Sequence, residues 1–128
     1  MEEFIISYIG YSNTELYKKK LYNLEPGSIK KIYNLYHDGI KEEPENNLEY
    51  LLYGTYYRLC MDYDNMLKYY LIATKNGFSY AMYELGRYYE AIRDYDNMLL
   101  YHMMAIENGN SDSMVEIGSY YREIKRDY

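Results

Sequence analysis

The feature that most constrains this chain is a 32-residue segment that occurs twice in succession. Residues 49–80 read EYLLYGTYYRLCMDYDNMLKYYLIATKNGFSY and residues 81–112 read AMYELGRYYEAIRDYDNMLLYHMMAIENGNSD, and they agree at 14 of 32 positions with no gap. A third copy starts at Ser113, where Met114, Glu116, Gly118, Tyr120, Tyr121 and Ile124 repeat Met82, Glu84, Gly86, Tyr88, Tyr89 and Ile92. A period of this length in a chain with helical patterning predicts helix pairs, each burying its apolar face against the next. The expected fold is all-α, a right-handed α/α solenoid of antiparallel helix pairs with about three and a half repeats. Residues 1–47 are read as divergent capping helices and a loop, 48–80 and 81–112 as repeats, and 113–128 as a partial repeat, all in one solenoid domain.

Each repeat is written as cap, helix, turn, cap, helix, glycine stop. The first helices carry Leu51, Leu52, Tyr56 and Leu59, then Met82, Leu85, Tyr88, Tyr89 and Ile92. The second carry Met66, Leu67, Tyr70, Leu71 and Ala73, then Met98, Leu99, Tyr101 and Ala105. Asp62 and Asp94 can accept amides at the second helix's N-terminus. Gly77 and Gly109 stand where a left-handed C′ residue is expected, and Ser79 and Ser111 are candidate caps for the next first helix. Gly54, Gly86 and Gly118 fall mid-helix, where glycine costs up to ~1 kcal/mol against alanine. Close approach of a facing helix explains them, with Ala73 and Ala105 as the expected partners.

Upstream, Phe4–Ile9 is a short apolar run open to strand or helix, read here as a helix covering the end of the stack. Ser12, Asn13 and Thr14 can cap a helix to about Asn23. Pro26-Gly27 closes that helix and Ser28 can cap the next, which carries Ile29, Ile32, Tyr33, Leu35 and Tyr36 and stops at Gly39. Residues 40–47, IKEEPENN, read as a loop.

Composition narrows the function. The formal charge is −6 with both signs mixed along the chain, which argues against nucleic acid or an anionic membrane as the main partner. Lys18-Lys19-Lys20 is read as a solvated helix face. No apolar run approaches the ~20 residues of a membrane span, and the N-terminus lacks a secretory pattern. The lone Cys60 fits a reducing compartment, so cytoplasmic is the expected location, and its place after Leu59 suggests a small core filler. There are 22 tyrosines, two phenylalanines and no tryptophan, so tyrosine must supply much of the core. An A- and T-rich codon bias would produce the same excess.

The wording Leu85-Gly86, Tyr89, Asp94, Leu99, Tyr101, Ala105, Gly109 and Ser113, opened by Ala81, resembles the Sel-1-like repeat, a relative of the tetratricopeptide repeat. The tyrosine-heavy runs YDNMLKYYLIA and YDNMLLYHMMAIENGNSD are similar to repeat proteins of giant DNA viruses of the Mimivirus kind, which would place the chain in a host cytoplasm. The resemblance implies an adaptor or scaffold surface for another protein. The chain departs from that pattern in its turn, Ala91-Ile92-Arg93-Asp94, which is short and lacks glycine. It also has Met66 and Met98 in place of the usual alanine, and Tyr70 and His102 in place of the second aromatic.

Chemistry has few carriers. His102 stands where the sister copy has Tyr70 and reads as a packing or rim residue. His37, beside Asp38-Gly39, reads as a helix C-terminal cation. Asp62/Asp64 and Asp94/Asp96 recur as capping residues do, and Glu2/Glu3 and Glu42/Glu43 are terminus and loop clusters. No catalytic, metal or cofactor site is expected. A protein or peptide in a concave groove is the expected partner, met by Tyr53, Tyr57, Tyr83, Tyr89, Tyr120 and Tyr121. The alternative is self-assembly through the apolar face of residues 114–124, or membership of a longer array.

Overall fold

The computed structural model describes residues 26–39 and 42–124, so the segments read over 1–25 and the chain after 124 lie outside the described residues. Among the described residues there are six helices and no strand: α1 (Pro26–Asp38), α2 (Asn47–Leu59), α3 (Tyr63–Lys75), α4 (Ser79–Ala91), α5 (Tyr95–Glu107) and α6 (Asp112–Glu123). The chain divides into two compact units between Tyr69 and Tyr70, inside α3.

In the first unit Ser28 lies inside α1 and does not cap it. Instead the Ser28 hydroxyl donates to Glu49, which is 1% exposed. Glu49 sits in the first turn of α2. Its amide donates to Asn46 Oδ1 at 2.9 Å, and its carboxylate accepts from Asn46 Nδ2 at 2.8 Å and the Glu45 amide at 3.1 Å. This is a reciprocal cap of the kind that orders a helix entry. Lys31 of α1 completes it, with Nζ 2.9 Å from Glu49 Oε1 and 3.1 Å from the Glu43 carbonyl.

Burial pushes the Glu49 carboxyl up, but bonds from Ser28, Lys31 and the Glu45 amide outweigh it and hold the group below its ordinary range. Burial likewise lowers Lys31, and Glu49 more than restores it. Around this polar knot α1 packs on α2 through Ile32, Leu35 and Tyr36 and through Leu51 and Leu52. The Tyr36 hydroxyl donates to the Leu52 carbonyl at 3.2 Å. The Tyr57 ring lies parallel to that of Tyr69 at 5.6 Å, and Tyr53 meets Tyr69 edge-on at 5.5 Å.

In the second unit α4 packs on α5, α5 on α6, and α4 also reaches α6. Tyr70, Ala73, Ala81, Met82, Tyr83, Leu85, Met98, His102 and Ala105 are buried there. The glycine stops after α3 and α5 are both Schellman caps. Gly77 has φ +81° and Gly109 has φ +93°. The Phe78 and Asn110 amides reach back to Ala73 and Ala105 at 3.0 and 2.9 Å. The glycine-free inner turns use the same geometry at a cost, since Met61 and Arg93 stand at φ +58° and +61°. Asp62 and Asp94 cap as expected, each accepting the amide three residues on at 3.3 Å.

Four expectations change. Ser79 lies inside α4, whose N-cap is Phe78, and Ser111 makes no side-chain cap; the Asp112 amide donates instead to Asn110 Oδ1 at 3.0 Å. Cys60 is exposed at the end of α2, where the chain is already turning away from the core. Leu59 and Ile92, in the last turn of α2 and just past α4, are 44% and 54% exposed, and Leu71 is 39% exposed. The partner of Gly86 is the ring of His102, not Ala105.

Breaking a buried ion pair strands its survivor. Lys31→Met is expected to lower the stability of the first unit by about 3 kcal/mol, and adding Glu49→Leu to restore most of it, measured by urea unfolding.

Candidate functional site

Four of the six tyrosines singled out for partner contact are used inside the protein. Tyr53, Tyr57, Tyr83 and Tyr120 are at most 5% exposed. Tyr53 donates to the Glu42 carbonyl at 2.5 Å, and burial, then the Glu49 and Glu42 charges, push its hydroxyl far above the ordinary range. Tyr83 donates to Glu116 Oε1 at 3.4 Å and lies under the Arg87 guanidinium. Tyr120 packs against Tyr95 at 5.2 Å. Tyr89 is half-buried, its ring parallel to that of Tyr101 at 5.5 Å. Tyr121 is exposed.

The adjacent pairs explain this. Neighbours on a helix point about 100° apart, so one of two tyrosines turns inward. In α2 the inward member is Tyr57, which is covered by Tyr69. In α6 its counterpart Tyr121 points out and Tyr120 is buried.

The exposure of Tyr121 belongs to a larger surface on α6. Met114 and Val115 are 58% and 65% exposed, whereas their counterparts Met82 and Tyr83 on α4 are 2% and 4% exposed. Gly118 is exposed and a Cβ there would meet nothing within 4 Å. At its counterpart Gly86 a Cβ would lie 2.6 Å from the His102 ring, and Gly86 is buried. The sequence marks this face by repeating residues of α4 at a spacing of 32. It does not indicate that Gly118 would stand open at the centre.

His102 is completely buried and packs rather than lining a rim. Its Nδ1 is 2.9 Å from the hydroxyl of Ser113, itself fully buried, and Tyr83 meets the ring edge-on at 5.7 Å. Nε2 has no hydrogen-bond partner. Burial, then the Arg87 charge, push its pKa down to about 4, so the ring is neutral at pH 7. The ring is sealed from solvent, so its nitrogens do not face a site that a substrate could enter. His37 lies in the last turn of α1, exposed, with its ring 4.4 Å from that of Tyr33.

Carboxylates gather on α4 and α6. Burial, then the Glu116 charge, raise the Glu90 carboxyl, with Arg87 opposing. No group of three or more His, Cys, Asp or Glu able to hold a metal ion occurs among the described residues. Between α3 and α5 an open groove of about 630 Å³ is lined by Leu71, Ile72, Thr74, Lys75, Leu100, Tyr101 and Met104. It is mostly apolar and brings no pair of reactive groups together. No helix among the described residues is long and apolar enough to cross a membrane. The chain matches no protein-family model, no curated protein and no solved structure.

Because the folded-state pKa of His102 lies below its ordinary 6.5, the unfolded chain binds the extra proton first as pH falls. Its contribution is fully present above pH 6.5 and is lost toward pH 4, at most about 3 kcal/mol. Thermal melts between those limits are expected to show a steeper fall for the native chain than for His102→Tyr, the residue found at Tyr70.

Proposed function

We propose that this protein is a non-catalytic protein-binding scaffold built from Sel-1-like helix-pair repeats in a right-handed solenoid of period 32. Two pairs of helix starts support the period: Asn47 with Ser79, and Tyr63 with Tyr95. All four helices are 13 residues long. Leu85-Gly86, Tyr89, Asp94, Leu99, Tyr101, Ala105 and Gly109 carry the resemblance to the repeat.

The observation that carries the binding reading is the apolar face of α6, where Met114, Val115 and Tyr121 are each more than half exposed on one short helix. Scattered exposed apolar residues are ordinary, but Met114 and Tyr121 lie seven residues apart on one helix face with the open Gly118 between them, an arrangement of the docking kind. The partner is a protein or peptide met by Tyr121, with Tyr89 at the margin. Tyr53, Tyr57, Tyr83 and Tyr120 serve packing. The same face favours a second reading, assembly of copies of this chain without a separate client.

Capture from lysate is to be compared for the full chain and Tyr121→Ser, both shown helical by circular dichroism. A specific protein retained by the native chain and lost with Tyr121→Ser, at unchanged melting temperature, is the expected result. Identical captured proteins from both chains would contradict the binding reading.

A further inference from the structure

From the packing within this chain we infer that the exposed face of α6 is a seat for an amphipathic helix presenting a methionine, two adjacent rings and an alanine at i, i+3, i+4 and i+7. The inference rests on the protein-binding reading and specifies the partner.

The interface that this face of α6 lacks among the described residues is present elsewhere in the chain. On α4, Met82, Tyr83, Glu84 and Gly86 are buried, and α5 packs against this helix. The buried stripe of α5 is Met98, His102 and Ala105, each 0% exposed, with Tyr101 beside it. Two contacts define the fit. The His102 ring seats on Gly86, 2.6 Å from where a Cβ would stand. The Tyr101 ring lies parallel to Tyr89, at 5.5 Å and 5°. The second contact recurs in the first unit, where Tyr57 lies parallel to Tyr69 at 5.6 Å and 4°.

α6 repeats the receiving half of this arrangement. Gly118 stands for Gly86 and Tyr121 for Tyr57 and Tyr89, with Met114 leading as Met82 does. The Tyr121 ring is exposed and Gly118 opens onto empty space. A second copy of the chain is a poor occupant. Both of its matching stripes, Met66–Tyr69–Tyr70–Ala73 and Met98–His102–Ala105, are already buried at 4% exposure or less. A separate helix with the same stripe continues the α4–α5 interface by one step, since ring and glycine are complementary in shape.

The test uses the full chain and a fluorescent peptide of its own residues 94–109, held helical by a staple across the exposed positions Asp96 and Leu100. Fluorescence anisotropy is expected to rise and saturate. Gly118→Ala in the full chain is expected to weaken binding about tenfold or more, because a Cβ blocks the seat. The same substitution raises the melting temperature, because alanine favours an open helix position over glycine. These opposite signs exclude misfolding as the cause of lost binding. A peptide with Tyr101 and His102 replaced by serine is expected not to bind.

Absence of a saturable rise overturns the inference, as does binding that Gly118→Ala leaves unchanged, which would mean the peptide exchanges with α5. A concentration-dependent doubling of mass that Gly118→Ala abolishes also overturns it, giving the seat to a second copy. If the peptide fails while a client is still lost with Tyr121→Ser, the inference alone falls. If neither depends on α6, the protein-binding reading falls with it.

Discussion

The second unit depends on one contact, the imidazole of His102 laid against the bare backbone of Gly86. A helix interior tolerates glycine only at a loss of conformational order, and the return here is close approach of α5 to α4. Any Cβ at position 86 would stand 2.6–2.7 Å from three ring atoms. The ring has nowhere to retreat, being fully buried and held to the Ser113 hydroxyl. That bond ties the contact to α6, so one ring joins three helices. Seating a polar ring in this way leaves Nε2 without a hydrogen-bond partner and keeps the imidazole neutral. Such a group serves packing, and its chemistry is suppressed by the same burial.

The first unit solves its packing differently. Where the later copies have Ala81 and Ser113, α2 carries Glu49, a buried carboxylate satisfied by Ser28, Lys31, Asn46 and the Glu45 amide. The cluster binds α1, the loop segment before α2 and the start of α2 to one charge pair. A buried pair is weak evidence of added stability, but it fixes which groups must meet. The segment that reads as a loop in the sequence supplies the Glu42 and Glu43 carbonyls to Tyr53 and Lys31. Its anchoring residues are in place for a structural reason.

Much of this was legible in the sequence because repetition marks structure. The glycine stops at 77 and 109, the capping aspartates and the helical class follow from residues that recur at fixed spacing. The partner of Gly86 was not legible, since an alanine and an imidazole three residues apart on one helix both face inward and only packing chooses between them. Tyrosines were harder still. Tyr57 and Tyr121 occupy equivalent positions, yet one is buried under the parallel ring of Tyr69 and the other is exposed. Cys60 follows an apolar pattern but falls after the last helical turn, where the pattern no longer predicts burial. The Ser28–Lys31–Glu49 knot has no periodic signature and is visible only once α1 and α2 are side by side.

Ring and glycine are fitted to each other, and a double-mutant cycle at positions 86 and 102 measures that fit. Gly86→Ala alone is expected to cost about 2–3 kcal/mol in urea unfolding, and the same change in a His102→Ala background at least ~1 kcal/mol less. A coupling near zero, with Gly86→Ala equally costly or equally harmless in both backgrounds, would contradict it.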